Sequence, residues 1–341
     1  MFVLAAVLIA AAGGAISYFA PNIGQSHNEA QSYAKVESGR KVHLGGMPVG
    51  ISVKSDGVIV LGLVEVETSV GMVKPNSSVE TGDIIVAMNG KNIVGLAEMH
   101  EALAEYDENQ KQMEITVIRA GKEKKVSTYP IKEIYTENYK LGFEVKEFAE
   151  GIGTVTYIKA CGAFAALGHP LNSLDGTLVI PAKNGSAYEC RIVGHVKGSK
   201  GKPGELKGMY ITPEKPSGKI HTNSRFGVYG SFENVPSSEL IEVGSRFSTK
   251  PGKAKMLTTL KDTPEWYDIE IVKTVPQGSA SEKGMVIRVT DKRLLSQTGG
   301  IIQGMSGSPI VQDGKLVGAV THVFVGEPSK GYAVYIDWVF S

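Results

Sequence analysis

Short apolar runs separated by glycines dominate the chain from Gly142 onward, and this pattern most limits the fold. Examples are GIGTVTYI, GTLVIPA, GSAYECRIVGHV and GKLVGAVTHV, each of a length that suits one strand. Strands with turns every 8 to 12 residues or so indicate a β-sandwich or a pair of β-barrels. Glycine supplies 41 of the 341 residues, which fits many tight turns with positive φ. The sequence therefore predicts a mainly β fold, with one large domain over residues 142–341.

Residues 42–132 show a different, mixed pattern. GMPVGISVKSDGVIVLGLVEV alternates as strands do, QMEITVIRAGKEKKVSTY is typical of a closing hairpin, and LAEMHEALAEY has apolar residues at helical spacing. A small sheet capped by one amphipathic helix is predicted. The segment, and TGDIIVAMNG in particular, resembles PDZ domains.

The PDZ resemblance implies a groove that binds an extended peptide by strand addition, with a loop of backbone amides around the peptide's terminal carboxylate. Pro48, Val49, Gly50 and Ile51 lie where that loop is expected. The alternative is a PDZ domain that serves only as a spacer. The two interpretations differ in whether the groove is open to a ligand.

The first 20 residues, MFVLAAVLIAAAGGAISYFA, contain no charged side chain. As a helix they would span about 30 Å, enough to cross a bilayer core. We expect either a transmembrane anchor or a cleaved signal segment, which places the remainder outside the cytoplasm. Residues 21–41 are polar and led by a proline, as in a mobile linker.

Charge and cysteine content exclude several function classes. Lys and Arg number 36 against 35 Asp and Glu, for a net charge of +1, so nothing favours nucleic-acid binding. Cys161 and Cys190 either form a disulfide or remain free thiols. Neither a CxxC spacing nor a Cys/His cluster is present, so no metal site is predicted.

Ser306 lies in QGMSGSPI, where glycines flank a serine before an apolar strand. Such a turn can expose the hydroxyl while the backbone amides of Gly304 and Ser306 converge as an oxyanion hole. The alternative is a turn without chemistry. A nucleophilic serine also needs a base, normally a histidine within hydrogen-bond reach.

His169, in AALGHP, ends an apolar strand at a loop, which suits a partly exposed base. His195 and His322 lie within apolar runs and are more typical of satisfied core or strand residues, and His221 lies in a loop without a supporting pattern. Among the acids, Asp291 follows the strand GMVIRVT, so it is a candidate to orient the base, whereas Asp313 precedes a glycine as in a hairpin turn. Residue types alone leave the acid open.

The run VTDKRLLSQTGGIIQGMSGSPIVQDGKLVGAVTHVFV closely resembles the stage IV sporulation protein B (SpoIVB) peptidases. The likeness extends to ALGH, GIGTVTY and the PDZ segment, in the family's order of anchor, PDZ domain and peptidase. It implies a serine endopeptidase with a chymotrypsin-like double β-barrel, in which His169 matches the base, Asp291 the acid and Ser306 the nucleophile. Here Pro170 follows the histidine, unlike the usual family pattern, and it can change the direction of the base.

The resemblance further implies export to the space between the forespore and mother-cell membranes. There the enzyme would cut a membrane-associated regulatory protein, and probably itself, to trigger intramembrane proteolysis of a sigma-factor precursor. The implied partners are this protein substrate, a PDZ peptide ligand and the membrane, and no cofactor is implied. An inert PDZ-plus-barrel scaffold and a quality-control protease are the alternatives, although proteases of the second kind place the peptidase before the PDZ domain.

Overall fold

A computed structural model describes residues 40–172, 179–180, 184–212 and 215–340. The predicted segment 1–20 and nearly all of the predicted linker lie outside these ranges. Among the described residues, no helix has the length and apolar character needed to cross a bilayer. The prediction of a mainly β chain is confirmed, because strands far outnumber helices in those ranges.

Described residues 40–140 carry ten strands and one α-helix. They are β1 (Lys41–Leu44), β2 (Pro48–Leu63), β3 (Val66–Thr68), β4 (Gly71–Val73), β5 (Ile84–Met88), β6 (Lys91–Asn92), α1 (Leu96–Ala104), β7 (Met113–Arg119), β8 (Lys122–Thr128), β9 (Ile131–Lys132) and β10 (Tyr139–Lys140). A short 3₁₀ turn, Glu108–Gln110, follows the helix. The helix and the closing hairpin fall where the sequence predicts them.

The second half is built almost entirely of strands. They are β11 (Phe143–Ile158), β12 (Ala163–Ala166), β13 (Asn184–Val196), β14 (Glu205–Tyr210), β15 (Gly218–Ser224), β16 (Gly227–Phe232), β17 (Leu240–Val243), β18 (Gly252–Thr259), β19 (Pro264–Thr274), β20 (Met285–Val289), α2 (Lys292–Thr298), β21 (Pro309–Gln312), β22 (Lys315–Val323), β23 (Lys330–Tyr335) and α3 (Ile336–Val339).

The first barrel closes on itself through six strands. The pairing runs β2, β11, β12, β16, β15 and β13, and β13 pairs again with β2, with every pair antiparallel. Alternate residues of β2, namely Val49, Ile51 and Val53, are buried in its core beside Phe164 and Val228. Burial of alternate side chains is what strands with one face toward a core require.

The second barrel also closes through six strands, in the order β18, β19, β20, β23, β22 and β21, with β21 returning to β18. Its core includes Met256, Ile271 and Ile287. A separate apolar cluster that includes Tyr157, Leu316 and Val334 joins strands of both barrels. The pairing thus gives two closed antiparallel barrels that pack against each other, which is the arrangement that the resemblance implies.

The remaining sheet belongs to the PDZ-like region. The second half of β2 pairs with β5, which pairs with β7, and β7 pairs with β8. Helix α1 covers the core with Met99 and Ala102, which pack near Val60 and Ile85. Gly57 has φ +138°, and a Cβ there would lie 2.3 Å from the Ile85 carbonyl oxygen. Only glycine suits this point, where β2 passes from the barrel into the PDZ-like sheet.

The prediction that Pro48 to Ile51 form a carboxylate-binding loop is wrong. Pro48, Val49, Gly50 and Ile51 lie within β2, which pairs with β11 on one edge and with β13 on the other. Strands on both edges occupy the backbone groups that a peptide carboxylate would need. The apolar alternation of these residues therefore serves the first barrel.

Candidate active site

Ser306 lies in the turn that leads into β21, at the junction of the two barrels. The turn is held by β11: the Thr154 hydroxyl donates to the Gly304 carbonyl oxygen (2.8 Å), and the Thr154 amide donates to the Ser306 carbonyl oxygen (2.9 Å). The Thr156 hydroxyl donates to the Gly307 carbonyl oxygen (2.8 Å). Both threonines are buried. One strand of the first barrel thus fixes three carbonyls of the serine turn.

The two amides of the predicted oxyanion hole are open. The Gln303 carbonyl oxygen accepts from the Leu206 amide (2.8 Å), and the Met305 carbonyl oxygen accepts from the Ser308 amide (2.9 Å). Since N–H and C=O of a trans peptide point in opposite directions, the Gly304 and Ser306 amides point away from these bonds. Within the described ranges neither amide has an acceptor. Free amides around a serine are the donors that a developing oxyanion requires.

His169 follows β12 and lies against His322 of β22, with ring centroids 5.0 Å apart. Its Nδ1 lies 2.9 Å from the carbonyl oxygen of Pro170. A carbonyl can only accept, so Nδ1 carries the proton and Nε2 keeps the lone pair that a general base uses. Pro170, which differs from the usual family pattern, therefore supplies the carbonyl that fixes the tautomer of His169.

The serine and the histidine each contact the end of β22. The Ser306 hydroxyl donates to the Thr321 carbonyl oxygen (2.8 Å). A Cβ on Gly168, directly before the histidine, would lie 3.1 Å from the Val320 carbonyl oxygen and 3.3 Å from Thr321 Cγ2. His169 then packs on His322, the next residue of the strand. In this conformation the hydroxyl is bonded to Thr321, so attack requires it to turn from that carbonyl to the imidazole.

Burial of His169 lowers its pKa below the ordinary value, and this effect exceeds the opposing influence of the Pro170 carbonyl and of Glu282. Burial also lowers the pKa of His322, and the neighbouring His169 adds to the shift. A lowered pKa means that the neutral form persists as the pH falls. The base is thus ready to accept a proton under mildly acidic conditions.

We expect the acid limb of the kcat/KM profile to have its midpoint below pH 6.5 or so, the ordinary imidazole value. The free enzyme must hold His169 neutral, and kcat/KM reports the free enzyme. Initial rates of cleavage of a reporter peptide between pH 4.5 and 8 measure the limb. A midpoint above the ordinary value would contradict the assignment of His169 as the buried base.

Asp291 lies at the start of α2. Its carboxylate caps α2, accepting from the Arg293 amide (2.8 Å), and it forms an ion pair with the Arg293 guanidinium (3.0 Å). It also accepts from the Asp268 amide (3.3 Å). Partial burial acts to raise the pKa of Asp291, but the hydrogen bonds from Arg293 and the backbone amides outweigh it and lower the pKa. Among the described residues its partners do not include His169, so the role implied by the resemblance remains a prediction.

Glu282, in the segment before β20, contacts the end of β22 through its backbone. Its backbone carbonyl lies 3.5 Å from the Thr321 hydroxyl, and its carboxylate accepts from Arg225 Nε (3.0 Å). Sequence reasoning missed Glu282, because its chain segment carries no recognisable motif. It also missed Thr154 and Thr156. Two threonines two residues apart lie on the same face of a strand, and within an apolar strand this pattern indicates a polar contact.

His195 and His221 bond elsewhere. His195 Nε2 lies 3.2 Å from the Gln297 carbonyl oxygen, and His221 Nε2 lies 2.9 Å from the Ser231 hydroxyl. His322 is a residue of strand β22, as one of the two predictions for it has it, but its side chain reaches the surface beside His169, so the prediction of a core role is wrong. Cys161 and Cys190 are free thiols.

A cavity of about 630 Å³ lies beside helix α1, between Met99, His100 and Leu103 of the helix and the start of β11. The first residues of β11, Phe143 to Lys146, pair with β2 between Leu63 and Ile59. Phe143 and Val145 pack against the apolar core that α1 covers. The start of β11 thus extends this edge of β2 and forms the wall of the cavity that faces α1.

A comparison with protein families gives two matches. The model of the SpoIVB peptidase S55 family matches residues 137–340, and a PDZ domain model matches residues 45–129. The chain belongs to the SpoIVB peptidase S55 family. The resemblance stated from the sequence is thereby confirmed, and this S55 chain is a serine endopeptidase with a PDZ domain.

Solved structures add little beyond the family. One similar structure, titled the Rv3671c protease in its inactive form, is 12% identical, covers 55% of this chain and 80% of its own, and has a TM-score of 0.32. So low a score carries no argument about the site. A comparison with curated proteins found no match.

Proposed function

We propose that this S55 endopeptidase uses Ser306 as nucleophile, His169 as general base and the Gly304 and Ser306 amides as oxyanion hole. His169 Nε2 takes the hydroxyl proton as Oγ bonds to the scissile carbonyl carbon. The carbonyl oxygen gains the negative charge, and the two amides stabilise it. His169 then passes the proton to the leaving amine, and water hydrolyses the acyl-enzyme by the same steps.

The observation that carries this proposal is the serine turn. Three of its carbonyls are bound by β11, and the two amides between them have no acceptor within the described ranges. A turn that served only to connect strands would have no need of two unsatisfied donors around an accessible hydroxyl. The tautomer of His169 adds independent support.

Substrate backbone is proposed to align along β22. This strand pairs with β21 up to Ala319 and bonds through Val320 to Gly307 and Ser308, and beyond Val320 its edge runs past Ser306. Thr321 and His322 therefore border the place where an extended substrate adds as a strand. A cleft of about 660 Å³ on the other side of Gly304, between β11 and β14, is large enough for one or two substrate side chains.

We further propose the cellular role that family membership suggests. An N-terminal segment at 1–20 would deliver the enzyme to the space between forespore and mother-cell membranes. There it would cut a membrane-associated regulator, and itself within the linker, and so start intramembrane proteolysis of a sigma-factor precursor. The PDZ domain would bind a peptide of the partner or of the linker in the cavity between α1 and the start of β11.

One observation favours a second candidate, an inert scaffold. The Ser306 hydroxyl donates to Thr321 instead of His169, as it would in a protein that never activates its serine. Catalytic hydrogen bonds are often absent before substrate binds, so the two candidates differ in reactivity and not in the resting contacts.

Self-cleavage tests the proposal. The full chain, purified in detergent, is expected to cut itself within residues 21–41, and the products are identified by mass spectrometry. His169→Ala is expected to leave the chain intact, because the serine then has no base. Equal cutting by both proteins would refute the proposed mechanism, and an intact wild-type chain that also spares added proteins would favour the scaffold.

A further inference from the structure

The cavity of about 660 Å³ between β11 and β14 opens beside the proposed oxyanion hole. Gln303 and Gly304 of the serine turn line it, together with Glu150 of β11 and Tyr210 of β14. A Cβ on Gly304 would lie 2.9 Å from Leu206 Cβ, so β14 packs closely against the serine turn. A peptide whose scissile carbonyl oxygen binds the Gly304 amide therefore passes the mouth of this cavity.

The wall that β11 contributes has an open backbone edge. The Thr154 amide donates to the Ser306 carbonyl oxygen (2.9 Å), so at this residue the amide of β11 points to the serine turn and away from β2. Backbone groups of a strand point to the same edge at every second residue, so those of Ile152 and Glu150 share the edge of Thr154. Strand β12 pairs with this edge from Val155 onward. Within the described ranges no strand covers the edge at Ile152.

Strand β14 presents a second open edge to the same cavity. The Leu206 amide donates to the Gln303 carbonyl oxygen (2.8 Å), on the edge away from β13. Gly208 and Tyr210 follow at every second residue, so their amides and carbonyls point to that edge too. No strand of the described residues pairs with them there. Two open edges at one cavity favour a ligand with an extended backbone, because such a backbone adds to an edge as a further strand does.

A bound substrate crosses the serine turn from β22 to β11. The Ser306 hydroxyl donates to the Thr321 carbonyl oxygen of β22 (2.8 Å), whereas the Ser306 carbonyl oxygen is held by Thr154 of β11. The proposed function places the residues before the scissile bond along β22. The residues after that bond then continue toward β11, where the cavity receives them.

The side chains of the cavity favour a basic residue. Glu150 and Glu205 line it, both are exposed, and none of the described lining residues is lysine, arginine or histidine. No ion pair joins either glutamate to another described residue. The apolar side chains of Ile152, Leu206 and Met209 line the same space. A lysine or arginine packs its methylene stem on such side chains while its charge stays at a carboxylate, whereas an acidic residue would be repelled.

We propose that Glu150 and Glu205 make this peptidase select substrates that carry Lys or Arg among the first residues after the scissile bond. The inference rests on the proposed function, since it needs Ser306 as the nucleophile and Gly304 in the oxyanion hole. It deepens that function by naming a substrate class, namely extended segments that are basic on the leaving side of the bond.

The test begins with the full chain in detergent and a mixed library of peptides of known sequence, in which mass spectrometry locates the cut bonds. One cleaved peptide is then remade with Lys, Gln or Glu at each of the positions after the cut, and kcat/KM is measured for each version. The enzymes compared are the wild type, the double variant Glu150→Gln with Glu205→Gln, and the double variant Glu150→Lys with Glu205→Lys. Glu189→Lys is the matched control, because Glu189 is also an exposed glutamate, in β13 beside β14, but does not line the cavity.

We expect the wild type to cleave the best Lys peptide about tenfold faster than its Glu counterpart at low salt, since one is attracted and the other repelled by two carboxylates. The preference should shrink in about 0.5 M salt, because these charges are exposed and therefore screened. The double Gln variant should lose most of the preference, the double Lys variant should prefer the Glu peptide, and Glu189→Lys should behave as wild type.

The inference would be wrong if the wild type cleaved the Lys and Glu peptides equally, or if the double Gln variant kept the full preference. A preference for basic residues confined to positions before the cut would also overturn it, because the cavity would then not receive the leaving side. If Ser306→Ala cleaved the library as the wild type does, the proposed function itself would fail, which is a separate result.

Discussion

Ser306→Ala is expected to reduce kcat/KM by a factor of about 10⁴ to 10⁶. Loss of the hydroxyl removes the covalent route and leaves only the open amides and substrate binding to accelerate hydrolysis. KM should change little, because the hydroxyl forms its new bond only during the reaction. Initial rates on a reporter peptide, with enzyme concentration varied over several orders of magnitude, measure the effect.

Ser308→Ala is the matched control for this loss. Ser308 lies two residues later, and its buried hydroxyl has no hydrogen-bond partner among the described residues. Removal of an unpartnered buried hydroxyl is close to neutral or stabilising. We expect Ser308→Ala to keep activity and stability. If Ser306→Ala cleaved the reporter peptide as fast as Ser308→Ala does, Ser306 would not be the nucleophile.

Gly307→Ala is expected to lower the free energy of unfolding by about 3 kcal/mol or more and to abolish activity. Gly307 has φ +94°, and a Cβ there would lie 2.0 Å from the Thr154 carbonyl oxygen and 2.5 Å from the Leu167 amide nitrogen. These atoms belong to strand and loop backbone of the first barrel and cannot move aside without opening the site. Urea denaturation and the peptide assay measure both losses.

Gly314→Ala is the control that separates the steric clash of a Cβ with neighbouring backbone from the cost of a positive φ for alanine. Gly314 also has a positive φ, +75°, but a Cβ there meets nothing within 4 Å. It should cost only 1–2 kcal/mol or so for the left-handed conformation and should leave activity in place. Equal losses at the two glycines would show that the contact between the serine turn and β11 does not determine the geometry of the site.

Local patterns predicted much of this molecule. The glycine-separated apolar runs fit the barrel strands, and the spacing of Leu96, Met99 and Leu103 fits helix α1. The serine turn could also be predicted, because Gly304 and Gly307, both with positive φ, flank Ser306 before an apolar run. These features depend on residues close together in the sequence, where periodicity and turn chemistry act directly.

The pairing of strands that are distant in the sequence could not be predicted from local patterns. Apolar residues alternate between Val49 and Val53, and this pattern fits a strand of either domain. Only their pairing with β11 and β13, about a hundred residues or more away in the sequence, places them in the barrel. The same is true of the contact between the Thr321 hydroxyl and the Glu282 carbonyl, which joins residues 39 positions apart in the sequence. Asp291 shows the converse, since its position before α2 is an equally good reason for an aspartate there.

Labelling with a fluorophosphonate probe tests the central claim most directly. The wild-type chain should be phosphonylated at Ser306, as located by mass spectrometry of its peptides, and His169→Ala should lose most of the labelling rate while remaining folded. Labelling should decline as the pH falls and His169 becomes protonated. A folded wild-type chain that gained no phosphonyl group, or gained it at Ser306 equally well without His169, would contradict the account.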